Sequence, residues 1–141
     1  MNLRVAAADW ARDRAALAAI RRAVFIAEQG VPEALEWDGF DAVSRHFLAT
    51  VDGAPVGCAR LLPDGHLGRM AVLPAWRGRG IGRALLDAAL AAARGAGMER
   101  VALSAQTHAA GFYARAGFVA EGAVYEEAGI PHVAMVRALT D

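Results

Sequence analysis

HLGRMAVLPAWRGRGIGRALLDAALAAAR, residues 66–94, is the stretch that decides the fold of this chain. It begins with an apolar run at residues 67–73 that predicts a strand. Pro74 ends this strand because proline has no backbone N–H to donate to a neighbouring strand. A basic, glycine-rich turn follows at residues 77–83. The alanine- and leucine-rich segment after the turn predicts a helix that ends near residues 95–97. The stretch therefore predicts a strand, a turn and a helix in direct succession.

The turn has the composition of a phosphate-binding loop. Its glycines allow successive backbone N–H groups to face one concavity, and the start of a helix adds partial positive charge. Arginine side chains donate paired hydrogen bonds that suit phosphate oxygens. The alternative interpretation is an ordinary glycine-rich turn with solvated arginines, and a Gly-x-Gly pattern alone does not separate the two.

Two common nucleotide-binding loops are excluded. A Walker loop requires a lysine, and all 15 of the Lys and Arg residues in this chain are arginine. A dinucleotide-binding fingerprint requires a third glycine where Arg83 stands, and an acidic residue about 20 positions later at the end of a second strand. Neither requirement is met.

Composition and charge predict one globular domain over residues 1–141. The chain is 56% hydrophobic and 21% charged, which is typical of folded proteins and long enough for one core. Its formal net charge is zero, so neither a nucleic acid nor a membrane is expected as a partner. Residues 1–20 contain no apolar run long enough for a signal peptide or a membrane span. The single cysteine, Cys58, cannot form an internal disulfide, so we expect a reducing, cytoplasmic location.

Periodicity and turn signals predict the remaining elements. The predicted order is a strand at 3–7, a helix from Asp9 to near Gln29, a loop at 32–44, a hairpin over 45–62, the central strand, turn and helix, a strand at 100–104, a short helix at 107–115, and a final hairpin of strands 118–125 and 132–139. Helical crossovers of this length connect parallel strands, so the strands flanking the long helix are predicted to lie in one sheet. The fold class is therefore α/β, a mixed α+β sheet of about seven strands flanked by about four helices.

Two motifs carry a resemblance to a known family. Arg77, Gly80 and Gly82 fit the pattern Arg/Gln-x-x-Gly-x-Gly/Ala directly after an apolar strand. This resembles the pyrophosphate loop of the GNAT superfamily of N-acetyltransferases, which bind acetyl-coenzyme A. The segment FYARAGF, residues 112–118, matches the Phe/Leu-Tyr-x-x-x-Gly-Phe signature of the same superfamily, after the second core strand. The GNAT acyl-CoA N-acyltransferase fold is therefore expected.

A narrower resemblance is to the ElaA-like (YjcF-like) subgroup of small bacterial GNAT proteins. It is carried by Val24-Phe25 with Glu28-Gln29, by Glu36 and Asp38, and by the segment YEEAGIPH at residues 125–132 with Met135. The resemblance implies transfer of an acetyl group from acetyl-CoA to a primary amine by direct attack in a ternary complex. The acceptor is a small molecule or a peptide amine, and a homodimer is possible because dimers are frequent in the family.

The resemblance also implies which residues hold the co-substrate. Backbone amides of the loop, assisted by its arginines, are expected to bind the pyrophosphate. The backbone of the central strand is expected to pair with the pantetheine arm, and an N–H near Met70 to meet the acetyl oxygen. Gln106 stands where many family members have an asparagine that contacts coenzyme A. The full predicted set is Met70, Ala71, Val72, Arg77, Gly78, Arg79, Gly80, Ile81, Gly82, Arg83 and Gln106. No metal site is expected.

Catalytic roles are assigned on the same resemblance. Tyr113 is predicted to be the general acid that protonates the departing thiolate, and the alternative is a partly buried aromatic with a satisfied hydroxyl. His66 is a candidate base because alternation along the strand places it on the face of Met70. Glu28 is a second candidate base. Glu127, His132, His108 and a water chain remain open as alternatives.

Two further interpretations stay open at this point. The acidic segment at residues 33–41 either attracts a cationic amine or is a solvated loop. The whole protein is either an N-acetyltransferase or a non-catalytic sensor or partner module that binds acyl-CoA without turnover.

Overall fold

The computed structural model describes residues 1–139, and within that range it contains seven β-strands and four α-helices. The strands are β1 (Leu3–Ala8), β2 (Arg45–Val51), β3 (Ala54–Leu61), β4 (Leu67–Val72), β5 (Arg100–Gln106), β6 (Val119–Glu127) and β7 (Ile130–Ala138). The helices are α1 (Trp10–Arg21), α2 (Glu33–Glu36), α3 (Ile81–Gly95) and α4 (Ala110–Arg115), and α1 continues as a π-helix over Arg22–Glu28. These counts confirm the predicted fold class.

The strands form two sheets where the sequence predicted one. Their orders are β1-β2-β3-β4 and β5-β7-β6, and every pairing within a sheet is antiparallel. A single parallel bridge, between His66 and Ala102, joins the two at the start of β4. Beyond that bridge, β4 and β5 diverge. The two parallel strands that α3 connects, β4 and β5, are therefore neighbours at one end only.

The first sheet is covered by one helix on each face. Alternation along β2 directs Phe47 and Ala49 into the core cluster that includes α3, and directs Leu48 towards the cluster that includes α1. Leu85, Leu86 and Leu90 of α3 are buried in the first cluster, and the stripe Leu17, Ile20 and Val24 is buried in the second. The result is a three-layer core that fixes where α3 begins.

Helix α3 approaches the sheet closely at Gly57 of β3. A Cβ atom added there would lie 3.0 Å from the carbonyl oxygen of Ala71 and 3.0 Å from Cδ1 of Leu85. A larger residue at this position would push β4 and α3 away from β3. Gly57 therefore sets the distance between the central strands and the helix that follows the glycine-rich turn.

Local signals account for the helix start and for the turns. The side chain of Asp9 accepts hydrogen bonds from the amides of Ala11 and Arg12 at 2.8 and 3.3 Å, which confirms the predicted cap of α1. The first hairpin turns at Asp52-Gly53, as predicted, with φ of 50° and 84°. The final hairpin turns at Ala128 and Gly129 with φ of 51° and 75°, so its strands are longer and its loop tighter than predicted.

None of the helices within residues 1–139 is both long and apolar enough to cross a membrane. The single domain over residues 1–141 remains a prediction, and Thr140 and Asp141 lie outside the described residues.

Candidate active site

An opening lies between β4 and β5. The two strands meet only at the bridge from His66 to Ala102, after which β4 pairs with β3 and β5 pairs with β7. The facing edges, residues 70–72 of β4 and 104–106 of β5, therefore have no strand between them. Free strand edges carry rows of N–H and C=O groups, and an extended ligand can pair with them as an added strand.

The glycine-rich turn lies at the end of β4 and leads into α3. Gly80 adopts a left-handed conformation, φ 82°, that lets the chain enter the helix abruptly. The first backbone hydrogen bond of α3 is donated by the amide of Ala84 to the carbonyl of Gly80, at 3.1 Å. Within residues 1–139, the amides of residues 78–83 donate to no backbone carbonyl. A row of free amides at a helix start is an anion-binding site in both geometry and charge.

The arginines of the turn are engaged at its rim. Arg77 donates from Nε to the carbonyl of Val72 at 2.9 Å, and from its two terminal nitrogens to the carboxylate of Glu28 at 2.7 and 2.6 Å. Arg83 pairs with Asp87 at 3.0 Å on the exposed face of α3. Arg79 lies over the ring of Trp76, 4.9 Å from its centroid, and has no carboxylate partner among residues 1–139. A phosphate at the turn would therefore compete with Glu28 for Arg77.

Three elements of the predicted site converge at Gly82. A Cβ atom added there would lie 3.6 Å from the ring of Phe112 in α4 and 3.9 Å from a methyl of Val72 in β4. Tyr113 follows Phe112 and packs edge-on against it, with ring centroids 5.1 Å apart, and against Phe118 at 5.9 Å. The glycine-rich turn, the end of β4 and the aromatic helix thus form one corner of the molecule.

Burial raises the pKa of the Tyr113 phenol to about 12, compared with its ordinary value near 10. At neutral pH the hydroxyl is therefore protonated and acts as a hydrogen-bond donor. The surrounding Phe112 and Phe118 rings fix the orientation of the Tyr113 ring.

The end of the π-helix contacts both sides of the opening. Glu28 binds Arg77 on the β4 side, and the Gln29 side-chain oxygen accepts a hydrogen bond from Nε2 of Gln106, at the end of β5, at 2.9 Å. Hydrogen bonds from Arg77 lower the pKa of the Glu28 carboxyl. A carboxylate with a lowered pKa is a weaker base, so the geometry does not favour the predicted role of Glu28 in accepting a proton.

His66 lies at the closed end of the opening. Its Nδ1 is 2.9 Å from the Asp64 carboxylate, and its side chain is 61% exposed. Residues 67–69, which include the left-handed Arg69, separate His66 from Met70. The role of His66 as a base stays a prediction.

The two histidines near the end of β5, His108 and His132, are hydrogen-bonded to neighbouring residues. Nε2 of His108 lies 2.7 Å from the Gln106 side-chain oxygen. His132 is buried, and its Nδ1–H donates to the carbonyl of Ile130 at 2.7 Å, which leaves Nε2 3.5 Å from the Glu127 carboxylate. Its ring stacks on Tyr125 with centroids 6.1 Å apart. In each ring the nitrogen that faces a carbonyl or amide oxygen carries the hydrogen, which leaves Nδ1 of His108 and Nε2 of His132 as acceptors.

The acidic segment proves to be part of a buried ion-pair network, which sequence reasoning missed. Glu36, Asp38 and Asp41 bind three arginines from the helix and the two central strands. The contacts are Arg21 to Glu36 at 2.8 Å and to Asp41 at 2.6 Å, Arg60 to Asp38 at 2.8 Å and to Asp41 at 3.2 Å, and Arg69 to Glu36 at 3.1 Å and to Asp38 at 3.2 Å. These carboxylates are already paired, so neither a solvated loop nor a free trap for a cationic amine describes them. One feature of the sequence could have indicated this network. Arg21 lies on the apolar stripe of α1, where a charged residue requires a buried partner.

Two shallow concavities of about 410 and 380 Å³ lie elsewhere, around the start of α1, and neither includes a residue of the predicted site. The opening between β4 and β5 is bordered by the backbone edges of two strands, which suits an extended ligand. Among residues 1–139, no group of three or more His, Cys, Asp or Glu side chains is arranged to hold a metal ion.

The glycine-rich turn after β4 and the aromatic helix α4 hold the two motifs that resemble the GNAT superfamily. The chain belongs to the GNAT family: the sequence profile described as acetyltransferase (GNAT) domain matches residues 9–139. The uncharacterized N-acetyltransferase YjcF of Bacillus subtilis is 35% identical over 122 residues, which cover 84% of this chain and 87% of that protein.

Solved structures agree with this assignment. An acyl-CoA N-acyltransferase from Pseudomonas aeruginosa is 37% identical with a TM-score of 0.87, over 97% of this chain and 100% of that one. Escherichia coli ElaA is 32% identical with a TM-score of 0.85, over 96% and 99%. The similarity to ElaA and YjcF predicted from the sequence is therefore confirmed. Acyl transfer from an acyl-CoA is the activity that the family supports.

Proposed function

We propose that the protein is an N-acetyltransferase that moves an acetyl group from acetyl-CoA to a primary amine in a ternary complex. The observation that carries the proposal is the opening between β4 and β5, which ends at a row of free amides at the start of α3. An extended arm with a pyrophosphate at one end and a thioester at the other fits that arrangement.

The co-substrate would be held mainly by backbone groups. The amides of Gly78 to Gly82 would bind the pyrophosphate, with the rim arginines beside them. The edge of β4 at residues 70–72 would pair with the pantetheine arm, and the amide of Met70 would donate to the thioester oxygen. In this arrangement Arg77 leaves Glu28, at least in part, to reach a phosphate oxygen.

The chemistry consists of one exchange at the thioester carbon. The amine nitrogen bonds to that carbon, the carbon–sulfur bond breaks, the amine loses one proton to a base, and the sulfur gains one. The products are an amide and free coenzyme A. Tyr113 is proposed as the donor to the sulfur.

The raised pKa of Tyr113 determines what that donor does. Transfer of its proton to a free thiolate of pKa near 8.5 would be uphill by about 5 kcal/mol. The phenol therefore stabilises the sulfur chiefly by a hydrogen bond while negative charge develops. A preorganised donor in a partly buried site is effective in this role because it needs no reorientation during the reaction.

The proposal is tested by binding and turnover together. Calorimetry should show that acetyl-CoA binds. Coenzyme A should compete with it for the site, whereas ATP and DNA should not. Release of free thiol should then depend on an added primary amine. Binding without turnover across a broad amine panel would favour the sensor alternative, and absence of binding would contradict both.

The lone cysteine supports a cytoplasmic location as part of the same proposal. Cys58 is buried in the core, and burial raises the pKa of its thiol to about 12. A buried, unpaired thiol is typical of proteins that function in a reducing compartment.

A further inference from the structure

Arg69 interrupts the regular backbone of β4. Its φ is 47°, a left-handed conformation that arginine seldom adopts. The pairing with β3 slips at the same point: Cys58 pairs with Ala71 and Arg60 pairs with Gly68. Two residues of β4, Arg69 and Met70, therefore lie opposite one residue of β3, which defines a β-bulge.

The side chain of Arg69 is clasped by the acidic segment. One terminal nitrogen, Nη2, donates to the carbonyl of Glu36 at 2.9 Å, to the carbonyl of Leu35 at 3.3 Å and to the carboxylate of Asp38 at 3.2 Å. Its Nε lies 3.1 Å from the Glu36 carboxylate. The side chain of Arg69 is 25% exposed and that of Glu36 only 4% exposed, so the clasp is partly shielded from water.

The clasp is anchored in the core of the molecule. The Glu36 carboxylate also accepts a hydrogen bond from buried Arg21 of α1 at 2.8 Å. The Asp38 carboxylate accepts two bonds from Arg60 of β3, both at 2.8 Å. Because both partners of Arg69 are fixed from a helix and a neighbouring strand, they can hold a strained backbone in place.

The bulge sets the direction of one peptide group. The carbonyl oxygen of Arg69 lies 3.4 Å from the Cys58 sulfur and accepts its S–H hydrogen, so that carbonyl is directed towards β3. In a trans peptide the N–H points opposite to the C=O. The N–H of Met70 belongs to the same peptide group and is therefore directed away from the Cys58 side chain.

We propose that Arg69 is a positioning residue: its clasp by the segment Leu35 to Asp38 maintains the bulge that directs the Met70 amide into the opening. This inference rests on the proposed function, because the thioester oxygen is the group that the Met70 amide would meet. Coenzyme A lacks that oxygen. Loss of the clasp should therefore affect acetyl-CoA and leave coenzyme A unaffected.

The test uses the backbone amides of methionine as probes. The chain has four methionines, so a protein labelled with ¹⁵N-methionine gives few amide signals, and Met70→Leu assigns the relevant one. Coenzyme A should shift the Met70 amide through its pantetheine arm, and in the unmodified protein acetyl-CoA should add a further shift that depends on the acetyl oxygen. In Arg69→Ala this acetyl-dependent shift should be lost, while coenzyme A binds as before.

Affinities provide the second readout. One hydrogen bond to a neutral acceptor predicts that Arg69→Ala weakens acetyl-CoA binding by about two- to tenfold relative to coenzyme A. Arg69→Gly is the matched control, since glycine adopts a positive φ without strain. It should retain more of the acetyl-CoA preference than Arg69→Ala does. Arg69→Lys, which keeps the charge and part of the clasp, extends the test if the alanine variant does not fold.

The outcomes distinguish a failure of the proposed function from a failure of the role of Arg69. If the unmodified protein does not bind acetyl-CoA, the proposed function fails and this inference fails with it. If it binds, and Arg69→Ala keeps the acetyl-dependent shift or loses affinity for both ligands in parallel, only the role of Arg69 is overturned.

Discussion

At the scale of single residues, Tyr113 carries the most specific chemical assignment. Tyr113→Phe keeps the ring that packs on Phe112 and Phe118 and removes only the hydroxyl. We predict that kcat for thiol release falls by about 100-fold, within the range for loss of one preorganised hydrogen-bond donor, with acetyl-CoA affinity nearly unchanged. Steady-state kinetics and calorimetry on the two proteins measure both quantities. An equal kcat in both would remove Tyr113 from the mechanism.

The raised pKa of Tyr113 predicts a pH dependence. The donor acts in its protonated form, which persists up to a pH near its pKa of about 12. The ratio of kcat/KM between the unmodified protein and Tyr113→Phe should therefore stay constant from pH 7 to about pH 10. An ordinary tyrosine would be half ionised at the upper end of that range, and the ratio would fall by half there. Such a fall would show that the hydroxyl is not desolvated.

The sequence predicted those side-chain and backbone interactions whose partners are close in the chain. It did not predict those whose partners are distant in the chain. The Asp9 cap and the free amides of the turn follow from neighbours in the chain. The pairing of Arg77 with Glu28 joins residues 49 positions apart, and no local pattern predicts it. Arg21 lies within an apolar helical stripe, and that placement is the one local sign of a buried ion pair.

At the scale of elements, the π-helix end and the glycine-rich turn share Arg77. We predict that Arg77→Ala weakens acetyl-CoA binding by about 1 to 3 kcal/mol, the range for a hydrogen bond to a charged group. Glu28→Gln removes the competing carboxylate, so acetyl-CoA affinity should hold or increase and kcat should remain similar. Titration calorimetry and kinetics on both variants give these values.

The Glu28→Gln variant also decides between two roles for this residue. A large loss of kcat with unchanged acetyl-CoA affinity would show that Glu28 is the general base, contrary to the geometry. Unchanged affinity in Arg77→Ala would show that the backbone amides alone bind the phosphates.

The close contact between β3 and α3 predicts a stability difference between two glycines. Gly57→Ala introduces a Cβ atom 3.0 Å from both a backbone oxygen and a leucine methyl, and should lower the free energy of unfolding by about 1 to 3 kcal/mol. Gly95→Ala, at the end of α3, meets no atom within 4 Å and should be neutral or stabilising. Urea unfolding measures both. Equal stabilities would mean that α3 moves away from β3 at no cost.

The elements themselves were largely predictable because each has a local cause. The strand, the turn and the long helix follow from periodicity and from Pro74. The bulge in β4 was not predictable, because its left-handed residue is an arginine whose partners lie more than 30 positions earlier. Gly68 precedes Arg69 in the sequence, and its presence does not indicate which residue of β4 adopts the left-handed conformation.

At the scale of the whole molecule, the fold class and the family were predictable from two motifs at the right separation. The division into two sheets and the charge network that holds the acidic segment were not, because both depend on long-range contacts. The same network joins α1, α2, β3 and β4, which are far apart in the sequence.

The central claim is tested most directly by measuring free-thiol release from acetyl-CoA with a broad panel of primary amines, each against a blank without acceptor. The account predicts saturable release with at least one amine, inhibition by coenzyme A, and a much lower rate in Tyr113→Phe. Failure of the folded protein to bind acetyl-CoA at all, together with no release for any amine, would contradict it.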